Sequence, residues 1–182
     1  MTKARLAYGD GYITVSIPDG MNVRVVEPTF VPALPDPMGA IRDSLRHPTA
    51  SPPLREMVRP TDTVAVVFSD ITRPTPNHQI VPAVLAELRE AGVPRQNVTL
   101  FNSTGTHRLN TAGELEAMLG REIAASYRIV QNDARARGAH ESVGVTRSGN
   151  EVLILKDFLD CSFKILTGFI EPHFFAGFSG GG

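Results

Sequence analysis

The sequence predicts an α/β fold, a mostly parallel sheet flanked by helices, with an N-terminal β-hairpin attached. Three observations carry this. From residue 61 onward, short apolar runs alternate with helical patterns, the texture of a parallel sheet whose crossovers are helices. Residues 63–68 are apolar almost throughout, as a strand buried on both faces must be. Residues 6–17 place apolar positions on either side of Gly9-Asp10-Gly11, a turn that needs positive φ.

Taken in order, residues 12–17 alternate with period two and complete the hairpin, and residues 23–31 read as another short strand. The proline-rich stretch 32–60 carries a short helical pattern at 38–45, so it reads as a wrapped connection with one or two short helices. Residues 1–60 are therefore expected to hold the hairpin and this connection, and residues 61–182 the α/β core, all in one structural unit.

After the strand at 63–68, Ile80, Val81, Val84, Leu85 and Leu88 share one helical face that ends near Gly92. Thr75 stands where it could cap that helix. Pro82 lacks an N–H, which predicts a kink or a later start. Residues 98–101 form the next strand, and Thr111 with Glu114 spells a capping box for a helix carrying Leu115, Met118 and Leu119. Residues 127–130 form a third strand, with further ones at 152–155 and 163–168. Together these make an open, Rossmann-like sheet.

With 182 residues, 42% of them apolar, the chain can bury a real core. Its formal charge is −1, with Lys and Arg scattered, which removes the basic footprint of a nucleic-acid binder. The longest aliphatic or aromatic run, 64–68, is far too short to span a bilayer, and the N-terminus lacks the apolar core of a secretory signal. Cys161 is the sole cysteine, so there is neither an intrachain disulfide nor a thiolate metal cluster. A soluble protein of a reducing, cytoplasmic compartment is expected. A glycine run such as 180–182 normally introduces a further element, so the chain reads as part of something longer.

Three loop motifs carry the chemistry: Ser69-Asp70-Ile71-Thr72-Arg73-Pro74-Thr75-Pro76, then Gly105-Thr106-His107-Arg108, then Glu171-Pro172-His173-Phe174-Phe175-Ala176-Gly177-Phe178-Ser179-Gly180-Gly181-Gly182. Each follows a strand-like run, and ligands of open α/β sheets sit outside the carboxyl ends of the strands. Asp70 and Arg73 either pair to hold their turn or present a guanidinium to a carboxylate or phosphate; the stiffening prolines favour ligand contact. His107 alone could be a surface or capping residue. With His173 it forms a pair that could deprotonate either face of a substrate carbon and reprotonate the other. His47, His78 and His140 lack the spacing of a two-histidine metal motif; His78 reads as a first-turn helix residue and the other two as exposed. Phe174, Phe175 and Phe178 read as core or pocket wall. The turn at 179–182 could cradle a phosphate through backbone N–H groups.

These three motifs closely resemble the N-terminal domain of the nickel-pincer lactate racemase family, over nearly the whole chain. The resemblance implies an enzyme that interconverts the enantiomers of a 2-hydroxy acid, with a nickel pyridinium dithio-mononucleotide, the nickel-pincer cofactor, as hydride acceptor. It puts His107 and His173 in the roles of catalytic acid and base and gives Arg73 the task of polarising a substrate oxygen. Asp70, Thr72 and Arg73 fall at its cofactor and substrate contacts. Thr75 and Gly105 are expected to join them, and Ser179, Gly180 and Gly181 to lie beside the cofactor phosphate.

The resemblance assigns no metal ligand to this chain. The tethering lysine, the nickel-binding histidine and the C-terminal domain of the family all fall beyond residue 182. The implied partners are therefore a small 2-hydroxy acid and the protein's own missing C-terminal domain, with self-association through an uncovered interdomain face as a further expectation. The fragment alone is expected to bind cofactor poorly and to turn over little. Two alternatives stand beside this reading: a racemase or epimerase for a larger hydroxy or sugar acid, and a non-catalytic module for an anion or nucleotide.

Overall fold

Residues 2–27, 29–173 and 175–180 are described by a computed structural model. Two compact units divide between Leu34 and Pro35. In the first, β1 (Thr2–Tyr8) and β2 (Gly11–Ile17) pair antiparallel with Tyr8 opposite Gly11. The connection is therefore the two residues Gly9 and Asp10, and Gly9 takes the positive φ of +55° that such a loop needs. The Arg5 guanidinium covers the Tyr12 ring at 4.2 Å. The strand expected at 23–31 does not form: residues 23–27 and 29–31 are irregular and exposed. Extended backbone needs a partner edge for its N–H and C=O groups, and no described strand pairs with this stretch.

The second unit begins with α1 (Pro37–Arg46), whose first turn is capped by the Asp36 carboxylate accepting from the Gly39 N–H at 2.9 Å. A short α2 (Leu54–Met57) follows. Arg46 of α1 and Arg55 of α2 both donate to Glu87, which is 1% exposed. The connection is thereby fastened to the helix that covers the sheet.

Next come β3 (Val64–Ser69), α3 (Asn77–Glu90), β4 (Val98–Ser103), α4 (Ala112–Leu119), α5 (Arg121–Ser126) and β5 (Arg128–Gln131). They are followed by β6 (His140–Val145), β7 (Glu151–Leu155), α6 (Lys156–Leu159) and β8 (Phe163–Leu166), and then by the small hairpin β9 (Glu171–His173) and β10 (Gly177–Ser179). The main sheet runs β5-β4-β3-β8, all parallel. Chain order moves outward from β3 through β4 to β5 and then returns to the other side of β3. Strand order thus reverses between β3 and β8, the switch point where α/β sheets open a crevice.

One face of β3 presents Val64, Val66 and Phe68 to Val81, Val84 and Leu88 of α3, with Met118 and Leu119 of α4 closing the layer. The other face presents Ala65 and Val67, with Phe101, to Leu155, Phe158 and Cys161. The Phe101 and Phe158 rings meet edge to face, 5.6 Å apart.

Helix α3 starts at Asn77 and runs through Pro82, so the later start does not occur; the ring removes only the N–H that would reach the carbonyl four residues back. The helix ends as the glycine predicts. Gly92 has φ +83°, and its N–H and that of Val93 close onto the carbonyls of Arg89 and Leu88. The Thr111–Glu114 capping box is present.

Thr75 does not cap α3. Pro76 holds that position without a side-chain cap, because the Thr75 hydroxyl is engaged with Ser69 Oγ at 2.6 Å. The strand at 152–155 lies outside the main sheet: β7 pairs antiparallel with β6, since the short connection at 146–150 cannot make a parallel crossover. His140 is half-buried, not exposed, with Nδ1 3.0 Å from the Ala136 carbonyl and Nε2 2.8 Å from Asn132 Oδ1.

Candidate active site

The site begins where β3 runs out. The Ser69 carbonyl accepts from two carboxamides, Asn77 Nδ2 at 3.1 Å and Asn102 Nδ2 at 3.3 Å. This fixes the peptide leading into Asp70. The Arg73 N–H closes a turn onto the Asp70 carbonyl at 3.2 Å. Asp70 is thereby turned inward and its side chain is 4% exposed. Its two carboxylate oxygens are used separately: Oδ1 accepts from Thr72 Oγ1 at 2.8 Å, and Oδ2 lies 2.8 Å from Nδ1 of His107.

His107 comes from the end of β4. Ser103 Oγ donates to the Phe68 carbonyl at 3.1 Å and Thr104 Oγ1 to the Asn132 carbonyl, which fastens the loop to both neighbouring strands. Gly105 turns it with φ +58°, and the His107 N–H closes it onto the Thr104 carbonyl at 3.0 Å. The imidazole remains 47% exposed, with Nδ1 on the buried carboxylate. Arg108, the second guanidinium of the motifs, turns away. It grips Glu114 of the α4 capping box through two bonds of 2.8 and 2.6 Å. That grip, with the Thr111 N–H, holds the Glu114 carboxyl down at about 2, well below its ordinary 4.5.

From β8, Thr167 donates both its N–H and its hydroxyl to the Val67 carbonyl. The chain then returns as the β9–β10 hairpin, so the third motif is a strand pair and not an open loop. Glu171 accepts from Arg73 Nη1 at 3.2 Å and lies 3.5 Å from Ser179 Oγ. Gly180 passes so close to the Phe169 carbonyl that a Cβ would stand 1.8 Å from its oxygen. His173 accepts at Nδ1 from the N–H groups of Phe175 and Ala176, at 3.2 and 3.3 Å. Phe175 and Phe178 are exposed, not pocket wall.

These pieces enclose a cleft of about 380 Å³ at the switch point, with Asp70, Arg73, Gly105, His107, Ser179 and Gly180 on its walls. Thr72, Thr75 and His173 lie outside its lining: Thr72 on Asp70 Oδ1 and 3.4 Å from His107 Nδ1, Thr75 against Ser69, His173 on β9. Gly181, Gly182 and Phe174 fall outside the described residues. A larger cavity of about 630 Å³ opens elsewhere, between α3 and α5 beside the first residue of β4. That is the wrong end of the strands for the crevice chemistry of an α/β sheet. Among the described residues no group of three or more His, Cys, Asp or Glu could hold a metal ion, and no helix is long and apolar enough to cross a membrane.

The sequence reading passed over Glu171, Asn77 and Asn102 as functional residues. Asn102 carried a signal, being a carboxamide at the end of an apolar strand that is buried completely. Buried polar groups need partners, and its partner is the Ser69 carbonyl that orients Asp70.

The solved structure of the lactate racemase apoprotein from Thermoanaerobacterium thermosaccharolyticum superposes on this chain with a TM-score of 0.81 at 26% identity, covering 98% of this chain and 41% of that one. The lactate racemase of the same organism is 33% identical over 141 residues, and that of Lactiplantibacillus plantarum 36% identical over 141 residues. Each match takes in 78% of this chain and 33% of the relative. The chain thus spans about a third of the length of these relatives. The family described as the lactate racemase N-terminal domain matches residues 8–182, a span that takes in all three motifs, and the chain belongs to this family.

Proposed function

We propose that this chain forms the acid/base part of a racemase that, within a longer protein, interconverts the enantiomers of a small 2-hydroxy acid such as lactate. The observation that carries the reading is the buried Asp70 carboxylate on Nδ1 of His107, on the wall of a cleft that also holds Arg73. A 2-hydroxy acid brings a carboxylate and, on the next carbon, a hydroxyl. His107 stands to take the hydroxyl proton at Nε2: the O–H bond breaks, an N–H bond forms, and the imidazolium is left paired with Asp70. Arg73 steadies the negative oxygen through N–H groups not engaged by Glu171. His173 is assigned the opposite face, a role that requires the hairpin Glu171 ties to Arg73 to bring it from outside the cleft lining to the substrate.

The nickel-pincer mononucleotide fits this donor set in part. Arg73 and the Ser179 hydroxyl suit a phosphate, and Gly105, at φ +58° with nothing within 4 Å of a Cβ position, leaves its backbone open to close approach. Among the described residues no group of three or more His, Cys, Asp or Glu could hold the nickel ion by itself. When bound, the group supplies a reversible hydride acceptor. The reading extends to a reducing, cytoplasmic setting, supported by a lone cysteine, Cys161, whose thiol is buried and pushed up by that burial.

The test uses lactate deuterated at C2, incubated in ordinary water with a cofactor-loaded chain extended to the length of its relatives. Racemic product that keeps its deuterium supports hydride transfer with histidine acid/base help. Loss of deuterium to solvent overturns the hydride step, and absence of racemisation overturns the function. A panel of larger chiral hydroxy acids, read the same way, sets the substrate size.

A further inference from the structure

We infer that the two histidines are held in opposite tautomers by their own surroundings, with Asp70 acting as a positioning residue for His107 and the hairpin backbone doing the reverse for His173. An ionised carboxylate only accepts hydrogen bonds. The 2.8 Å contact between Asp70 Oδ2 and His107 Nδ1 therefore places the ring proton on Nδ1 and leaves a lone pair on Nε2. Thr72 secures the arrangement, because its hydroxyl occupies the other carboxylate oxygen at 2.8 Å. Asp70 is buried and the peptide leading into it is pinned through Ser69, so its backbone is fixed beside Thr72 and His107, the partners of its two oxygens.

At His173 the polarity is inverted. Backbone N–H groups only donate, and those of Phe175 and Ala176 point at Nδ1 from 3.2 and 3.3 Å. Nδ1 must then carry the lone pair and Nε2 the proton. In the ligand-free protein His107 is thus a ready base, whereas His173 is a hydrogen-bond donor at Nε2. It becomes a base there only by moving its proton to Nδ1 and giving up both backbone bonds.

The consequence for catalysis rests on the racemase reading above; the tautomers rest on the contacts alone. For racemisation, a hydroxyl facing His107 is deprotonated directly, and one facing His173 requires the hairpin turn to open first. The two enantiomers have equal free energies, so kcat/KM is equal in the two directions whatever the tautomers. Spectroscopy, not a steady-state ratio, reads the asymmetry.

The experiment is a long-range proton–nitrogen correlation spectrum of the nitrogen-15-labelled 182-residue chain without ligand, recorded about two pH units above the ordinary imidazole pKa of about 6.5. The expected result is His107 protonated at Nδ1 and His173 protonated at Nε2. In Asp70→Asn, Thr72 keeps the side-chain oxygen and the NH₂ group faces the ring, so His107 is expected to reverse to the Nε2–H form while His173 is unchanged. The same tautomer at both histidines in the wild-type chain overturns the inference, as does an unmoved His107 in a folded Asp70→Asn chain. Should that variant not fold, the wild-type spectrum decides by itself. Lost racemisation with opposite tautomers in place counts against the racemase reading and not against this one.

Discussion

Arg73 and Glu171 lie 98 positions apart in the chain, and the guanidinium Nη1 donates to the carboxylate Oε1 at 3.2 Å. This contact joins the β3 loop to the hairpin that carries His173. It occupies one nitrogen of the guanidinium and leaves the rest of the fork to the cleft. Both side chains keep solvent contact, 40% and 27% exposed, so the pair adds little to stability. Glu171→Gln is expected to lower Tm by no more than about 3 °C. In the cofactor-loaded longer protein it should raise KM for the hydroxy acid about fivefold, with kcat nearly kept, as a loosened guanidinium loses roughly 1 kcal/mol of binding. An unchanged KM would remove Glu171 from the positioning of Arg73.

Gly180 and Gly105 both have positive φ, and they differ in what surrounds them. A Cβ at Gly180 meets the Phe169 carbonyl, and one at Gly105 meets open space. Gly180→Ala is therefore expected to displace the hairpin, seen as large amide shifts at Glu171 and His173 in a heteronuclear spectrum. Gly105→Ala should cost only the left-handed backbone term, about 1–2 kcal/mol, and shift nothing beyond its own loop.

Glu87 anchors the connection of α1 and α2 to α3. Burial alone pushes its carboxyl up; the hydrogen bonds from Arg46 and Arg55 outweigh this and hold it below 4.5. Because the folded value is the lower one, its stabilising contribution is whole above pH 4.5 and is lost as pH falls through the folded value. Glu87→Gln weakens the three charge-assisted bonds from these two arginines at a cost of roughly 2–3 kcal/mol. Thermal unfolding at neutral pH should show Tm lowered by roughly 5–10 °C, and the gap should shrink in acid.

The Arg108–Glu114 grip ties the His107 loop to α4 and titrates in the same sense. With Glu114 held at about 2, its contribution is present above pH 4.5 and fades between there and pH 2. Glu114→Gln is expected to flatten the fall of Tm over that interval, and an identical acid profile would argue that the contact is idle. Arg108→Lys should behave similarly, since a single ammonium cannot reproduce the two-pronged contact.

The parallel sheet was legible because β3 and β4 are apolar on both faces and their connecting helix repeats its apolar residues with helical spacing. The cleft was legible because strand-end motifs in such a sheet converge. What the letters did not carry was partner choice. Nothing in residues 152–155 distinguishes a main-sheet strand from one that pairs with β6. Thr75 has the right identity for a helix cap, but the Ser69 hydroxyl, six residues back, takes it first. Arg73 and Arg108 look equivalent in sequence, and only the positions of Glu171 and Glu114 send one toward the cleft and the other to a helix end. His173 was singled out by its motif, but the structure places it on β9 outside the cleft lining, and the backbone donors that occupy its Nδ1 come from the turn geometry.

The central claim is that His107, backed by Asp70, does the proton chemistry of this cleft. The most direct measurement is the racemisation rate, starting from each enantiomer of lactate, of His107→Ala and His173→Ala in the cofactor-loaded longer protein. The account predicts that His107→Ala lowers kcat by about 10²–10⁴ in both directions with the fold intact, and that His173→Ala does the same. Near wild-type rates in His107→Ala would contradict it.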